Sequence, residues 1–416
     1  MKHSFLRIIT TAALSLAAVL VCAQNKSAGI NLSLWNKIST QPVRSGQQTY
    51  FNLGIVSINN KLNGLSVNLV SNQVDGTANG MQIAGLMSVV DESVHGVQVA
   101  GLANVTGEYS DGLSLAGVVN IIGESQYGLA ASGFLNMIGI DSKGIAISGL
   151  GNMMGYTSQG LAIGGIFNST GTSLYGLGVA GLVNLSKNTY GAQISGLSNI
   201  SNNQRGLSVS PFNVNLNNLY GLQLGAVNIN LNKSRGLQLG LFNIASAHKG
   251  VQFGLVNFYE ESLKGGQFGL INLNSNTKIS VMAYGGNRTK LNLAMRFKNK
   301  VFYTILGVGS PVLDFSDKFS GAINYRAGMY LPVGKHFEVS ADLGYQHINT
   351  FKNAHKVEGL AKRMYSLQSR ANIEYLFNKK WSVLVSGGYE AMRWYSKSQT
   401  YRKGALIEGG LIYTIK

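Results

Sequence analysis

The sequence predicts an all-β fold: a repetitive β-solenoid of 14–16-residue coils followed by an eight-stranded antiparallel barrel-like domain. Three observations predict it. A glycine–asparagine phrase recurs through the middle of the chain, strand-length apolar–polar alternation fills the last third, and most of the basic surplus lies in that last third. At 416 residues the chain exceeds what one core accommodates, so more than one domain is expected. The pattern divides it at 1–23, a signal peptide; 24–63, an N-terminal cap with degenerate repeats; 64–278, the solenoid; and 279–416, the barrel-like domain. Glycine numbers 53, proline only 4, and 45% of residues are apolar, a balance that fits neither collagen nor a disordered linker.

The first segment has the parts of a secretory signal. Lys2 and Arg7 supply charge, Ile8 to Val21 an apolar core, and Val21-Cys22-Ala23 a small-residue cleavage site before Gln24. Cleavage there removes Cys22, the chain's single cysteine, so no disulfide or thiol chemistry is expected.

The repeat reads Gly, apolar, Gln, apolar, Gly, apolar, any residue, Asn, as in Gly236-Leu-Gln-Leu-Gly-Leu-Phe-Asn243. Its leading glycines fall at Gly80, Gly96, Gly112, Gly128, Gly144, Gly160 and Gly176, a period of 16, and continue from Gly191 to Gly265 at 14 or 15. The asparagines follow in register, among them Asn104, Asn120, Asn136, Asn152, Asn184, Asn228, Asn243, Asn257 and Asn272. Degenerate copies surround Gly29 and Gly54.

A change within the phrase favours coils over membrane strands. Gly96 and Gly101 are five apart, whereas Gly221 and Gly225 are four apart. One residue added inside a continuous strand turns every later side chain to the other face, but a corner between two short strands absorbs it. Each repeat is therefore read as a short strand, a glycine corner, a second short strand ending near the Asn, and a polar turn. The asparagine amides are expected to stack as a ladder along the coils, with Gly, Ser, Gln and Asn forming the outer faces. Trp35 and its surroundings are expected to close the N-terminal end, since stacked coils need caps. A single large barrel with a bulge in each strand is the alternative.

From Lys278 the strands lengthen, with candidates at 279–287, 289–297, 300–308, 320–331, 336–349, 364–377, 381–395 and 404–415. Phe337, Val339, Ala341, Leu343 and Tyr345 share one face; Glu338, Ser340, Asp342 and Gln346 share the other. Short connections alternate with long ones, as in bacterial outer-membrane barrels. Tyr330, Tyr345, Phe377, Trp381, Trp394 and Tyr395 lie near strand ends, where interface girdles belong. Arg326, Glu338, Asp342, Arg370, Glu374 and Glu390 on the polar face suit a lumen of paired charges.

The repeat resembles the Gly-x-Gln-x-Gly-Leu-x-Asn tandem surface repeats of exported proteins of diderm bacteria, over roughly Gly64 to Asn272, and the tail resembles a small outer-membrane β-barrel. The resemblance implies a location in the outer membrane or at the cell surface. The chain departs from such barrels in ending Tyr413-Thr414-Ile415-Lys416 rather than on an aromatic residue. An even strand number also puts both ends of a barrel on one side of the membrane, placing the coils in the periplasm, whereas surface repeats face outward.

Net charge is +17. Nine basic and nine acidic residues cancel between Phe51 and Ser280, whereas Val281 to Lys416 carry twenty basic and eight acidic ones. A basic domain in an exported protein favours anionic lipid or polysaccharide over nucleic acid. The expected partners are outer-membrane lipid and an envelope glycan or protein, with no nucleic acid, no cofactor and no metal. Gly176-Leu177-Gly178-Val179-Ala180-Gly181 matches a dinucleotide fingerprint on paper, but it lacks the helix that fingerprint needs. His95 and His248 fall in polar turns by this reading. His347, with Ser366 or Ser369 and Glu374, is the one arrangement resembling a hydrolase triad. The expected function is a non-enzymatic envelope protein, the repeat serving as an interaction or structural surface anchored by the barrel. The alternatives are a large pore and a barrel-rim hydrolase.

Overall fold

The computed structural model describes residues 29–35, 38–41, 46–262, 265–353, 362–395 and 400–416. The expected signal peptide with Cys22 lies outside the described residues, as do His355 and parts of two long barrel connections. The fold is an all-β solenoid with a closed eight-stranded antiparallel barrel. It comprises two compact units, residues 1–230 and 231–416.

In the regular coils of the first unit two strands meet at a corner, most often a glycine. Val94–Ala100 and Ala103–Thr106 form one coil, Ser110–Ala116 and Val119–Ile122 the next. Like residues pair in parallel, Gly96 with Gly112 and Asn104 with Asn120. This register rules out the single large barrel, whose consecutive strands would run antiparallel. The corner backbone is bonded too: Gly101 N–H donates to Ala84 O (3.1 Å) and Leu102 N–H to Leu86 O (2.8 Å). The Asn is the second residue of the second strand rather than its end.

The leading glycine lies within the first strand, and its backbone explains why nothing else stands there. Gly112 has φ +126°, and a Cβ on it would run into the carbonyl oxygen of Gly96. Where the spacing within the phrase drops from five to four, Ile194 still pairs with Val209 and Ser198 with Phe212, so the corner takes up the missing residue. At the N-terminal end Ile30–Trp35 pairs parallel with the next coil, and the chain doubles back through Ile38–Ser39. Gln41 N–H then donates to Asn31 Oδ1 (3.2 Å), closing the interior, while Trp35 itself is exposed.

The second unit opens with further parallel coils, among them Phe242–Phe253, Val256–Ser262 and Ile271–Asn274. The barrel follows as an up-and-down meander: β1 (Lys278–Gly286), β2 (Leu291–Asn299), β3 (Phe302–Ser310), β4 (Lys318–Val333), β5 (Phe337–Asn353), β6 (Arg363–Leu376), β7 (Trp381–Trp394) and β8 (Thr400–Thr414). Antiparallel pairing of β8 with β1 closes it, leaving no free edge. The last coil is tied to the β2–β3 turn. Asn274 Nδ2 donates to Asn299 Oδ1 (2.8 Å), and Asn299 Nδ2 donates to Asn272 O (2.9 Å).

Gly112→Ala should lower stability by at least about 1–3 kcal/mol through backbone strain. Gly387→Ala, where a Cβ meets nothing within 4 Å, should change it by less than about 0.5 kcal/mol. Urea unfolding in detergent, followed by far-ultraviolet circular dichroism, checks both.

Candidate functional site

The ladder residues meet in the interior of the coils. Asn136 Nδ2 donates to Asn152 Oδ1 (2.8 Å) and Ile147 O (2.8 Å). The same amide-to-amide bond links Asn104 to Asn120 and Asn120 to Asn136 (both 2.9 Å), and Asn213 to Asn228 (2.9 Å). Asn184 is reached from Asn168 (3.0 Å) and passes on to Asn199 (2.9 Å). In the second unit Asn243 donates to Asn257 (2.8 Å) and Asn257 to Asn272 (2.9 Å). The glycines Gly96, Gly112, Gly128, Gly144, Gly160 and Gly176 lie directly over one another on the first strands. Glutamines form a second buried column: Gln252 Nε2 donates to Gln238 Oε1 (2.8 Å) and Gln267 Nε2 to Gln252 Oε1 (3.1 Å).

This overturns the expected surface. Ser, Gln and Asn point inward, and the residues between them point out: Leu102, Phe134, Ile166 and Leu182 at the corners, Ile121, Met137 and Met153 on the second strands. With a side-chain period of two, one buried amide obliges its apolar neighbours to face outward. Charge is confined to a third edge, the stretch from the end of each second strand up to the leading glycine of the next coil, which takes in the first residues of the following strand. His95 and Asp111 approach to 3.7 Å there, and Lys143 lies 5.1 Å from the Tyr127 ring. Tyr175 and Tyr190 stack at 4.8 Å, and Arg205 sits 5.7 Å from the Tyr190 ring and 5.5 Å from that of Tyr220. The signal for this edge was readable: Tyr127, Tyr175, Tyr190 and Tyr220 each directly precede a leading glycine. His248 departs from expectation as well. It lies in a strand, fully buried, stacked on Tyr259, and burial lowers its pKa to about 4.

The barrel repeats the same polarity with a different backbone. Outward residues are apolar: Leu293, Ile323, Leu343, Leu367, Ile373, Val385 and Leu411 are all exposed. The lumen is filled in layers. Arg296 binds Glu374 through both terminal nitrogens (2.6 and 3.1 Å), beside the Lys298–Glu338 pair. Above this lies an apolar cluster of Met282, Tyr284, Ile305, Leu384 and Ile412. Arg326 grips Asp342 (2.9 and 2.6 Å), which also accepts from Tyr303 (2.7 Å) and Asn372 (2.9 Å); Arg370 grips Glu408 (2.8 Å). Ser366 and Gln368 both donate to Glu390 (2.9 Å each). Tyr345, Phe377, Trp381 and Tyr395 are exposed as a girdle requires, but Tyr330 and Trp394 turn inward onto lumen clusters, because each is an even step from a lumen residue on its strand.

The triad does not assemble. Ser366 lies in the lumen with Glu390, and Glu374 is held by Arg296. His347 is one residue out of phase with Gln346, the partner of Ser366, so it occupies the opposite face of the wall, where its Nδ1 meets Tyr395 OH (2.8 Å). Among the described residues no group of three His, Cys, Asp or Glu side chains gathers as a metal ion needs.

No protein-family model and no curated protein matches the chain. Among solved structures it is similar to Ail, the attachment invasion locus protein of Yersinia pestis, at 16% identity over 33% of this chain and 95% of that one, with a TM-score of 0.21.

Arg326→Met leaves Asp342 buried without its main counter-charge and should cost about 3–5 kcal/mol, most of it recovered in Arg326→Met/Asp342→Leu. The temperature at which the barrel loses its compact gel mobility reports this. His248 titrates from a lowered folded pKa, so the unfolded chain binds the extra proton between pH 6.5 and about 4. Stability should therefore fall by up to about 3 kcal/mol as pH drops through that window and level off below it. His248→Gln should remove this component from the pH dependence of the urea midpoint.

Proposed function

We propose that this chain is a non-enzymatic protein of the bacterial outer membrane, its barrel a bilayer anchor and its coils an extended structural or binding surface. The observation that carries this reading is the polarity of the barrel wall. Apart from Ser369, its exposed outward face is apolar through the middle of the described strands, with His347, Arg363, Arg393 and Lys403 at the long-loop end, while Arg326, Asp342, Arg370, Glu374, Glu390 and Glu408 are turned into the lumen and buried. A water-soluble calyx has the reverse arrangement, apolar within and polar without. Strands of nine or more residues are long enough to cross hydrocarbon. Lys278, Lys335, Lys379, Lys380 and Lys416 surround a recess of about 490 Å³ at the short-turn end, beside Trp381 and Phe377. Lysine with aromatic residues at that level suits anionic headgroups.

A pore is the less favoured reading, since layers of ion pairs and apolar clusters fill the lumen. For the coils, the groove lined by Asn188, Tyr190, Asn203, Arg205, Asn218 and Tyr220 presents amides beside aromatic rings. That chemistry suits the rings and hydroxyls of an envelope glycan.

The protein should stay in the membrane pellet through carbonate extraction and fractionate with the outer membrane, and recovery in the periplasmic supernatant would sink the anchor. Reconstituted into planar bilayers, it should add no steady conductance above the lipid background, whereas discrete open channels would favour the pore.

A further inference from the structure

The coils bury Asn, Gln and Ser together with a narrower apolar column that includes Val90, Ile122, Ile138 and Met154, yet their outer faces are apolar as well. Between Gly80 and Asn230 there are nine charged residues, Asp91, Glu92, Glu108, Asp111, Glu124, Asp141, Lys143, Lys187 and Arg205. All nine fall between the second-strand positions of one coil and the leading glycine of the next, Asp111, Asp141, Lys143, Lys187 and Arg205 of them within strands, and none follows a leading glycine onto the apolar part of the first strand. An apolar surface repeated on coil after coil is far larger than the isolated patches of a soluble monomer, and it calls for an apolar partner.

We propose that the two outer faces of the coils contact the hydrocarbon of the bilayer that holds the barrel, with the Tyr- and charge-bearing edge at the level of the headgroups. The proposal rests on the reading of the barrel as a bilayer anchor. Three features favour lipid over a protein partner or a second copy.

The first is the backbone. Hydrocarbon tolerates only backbone whose N–H and C=O groups are already bonded. Coil-to-coil bonds run along the stack, and even the exposed corner obeys: the amides of Gly117, Val118 and Val119 donate to Ala100 O (3.1 Å) and Leu102 O (2.9 and 3.0 Å). The second is the edge. Tyrosines there alternate with Lys143 and Arg205 in cation–π contact, the residue mixture that marks a membrane–water boundary. The third is continuity within the second unit. Phe253, Leu255, Phe268 and Leu270 of its last coils share an apolar cleft of about 450 Å³ with Phe297 and Phe302 of the barrel's outward face. Phe268 and Phe302 meet edge to face, ring centres 6.1 Å apart. The coil surface is thus joined to the wall that would face lipid, and the same residue types occupy the same coil positions in the first unit.

Site-directed spin labelling tests this on the full chain, with Cys22→Ser, reconstituted in phosphatidylcholine–phosphatidylglycerol vesicles. Nitroxides are placed through Leu102→Cys and Phe134→Cys on the outer faces, Asp111→Cys on the edge and Leu367→Cys on the barrel wall. Collision with oxygen and with a water-soluble nickel chelate is measured at each. The proposal expects Leu102 and Phe134 to match Leu367, with oxygen favoured and nickel excluded, and Asp111 to favour nickel. If Leu367 is in lipid but Leu102 and Phe134 are open to nickel, or shielded from both reagents as a protein partner or second copy would shield them, the proposal is overturned and the anchor stands. If Leu367 is open to nickel, the anchor falls and the proposal with it. Labels at Ile166→Cys and Leu182→Cys repeat the measurement on other coils, so that one misfolded variant does not decide it.

Discussion

The buried asparagine amide is the contact on which the coils depend. Asn136 donates at once to the strand carbonyl above and to the next asparagine, and its register partners do the same. A buried amide is costly unless bonded, and here each coil supplies the acceptor for its neighbour. A coil does not complete the bonding of its own asparagine, since Asn136 Nδ2 reaches Ala130 O of its own coil at 3.2 Å but makes its two shorter bonds to the next, which is why the phrase has to be repeated and kept in register. The apolar exterior follows from this. Once Asn, Gln and Ser alternate into the interior, the intervening Leu, Ile, Val, Met and Phe have only the outside left to them.

The barrel reaches the same polarity by another route. Its strands alternate as the coils do, but closure removes the edges, and the polar side chains meet across the lumen as ion pairs instead of stacking in ladders. Arg296 with Glu374, Arg326 with Asp342 and Arg370 with Glu408 each join different strands, so they brace the wall from within while they neutralise the interior. Such pairs contribute less to net stability than their number suggests, because desolvation offsets most of the attraction.

Much of this architecture was legible in the residues. The constant spacing of Gly96, Gly112 and Gly128 and of Asn104, Asn120 and Asn136 specifies stacked coils, and the shift from five to four residues between paired glycines specifies a corner. The eight barrel strands were readable from alternation to within a few residues at most ends. What alternation does not carry is which face lies inside. Gln98 and Val99 differ in face whichever way the coil closes, and only the closure itself puts Gln98 within. Parity alone would have placed Tyr330, four residues from Arg326, on the lumen side. His248 occupies an interior position filled in other coils by Val94, Ser110 or Leu174, and nothing local distinguishes it from a turn histidine. Arg296 and Glu374 are 78 residues apart along the chain, a separation that no local pattern encodes.

Because every coil of the regular stretch meets only its two neighbours, and meets them through the same residues, the coils are interchangeable parts. Excising residues 112–127 would bring Gly96 beneath Gly128 and Asn104 beneath Asn136, restoring each lost contact with a like one. Gain or loss of one whole period can therefore lengthen or shorten the protein by a coil while the stacked contacts are kept. Coil number is then a quantity that selection can tune while the fold stays the same.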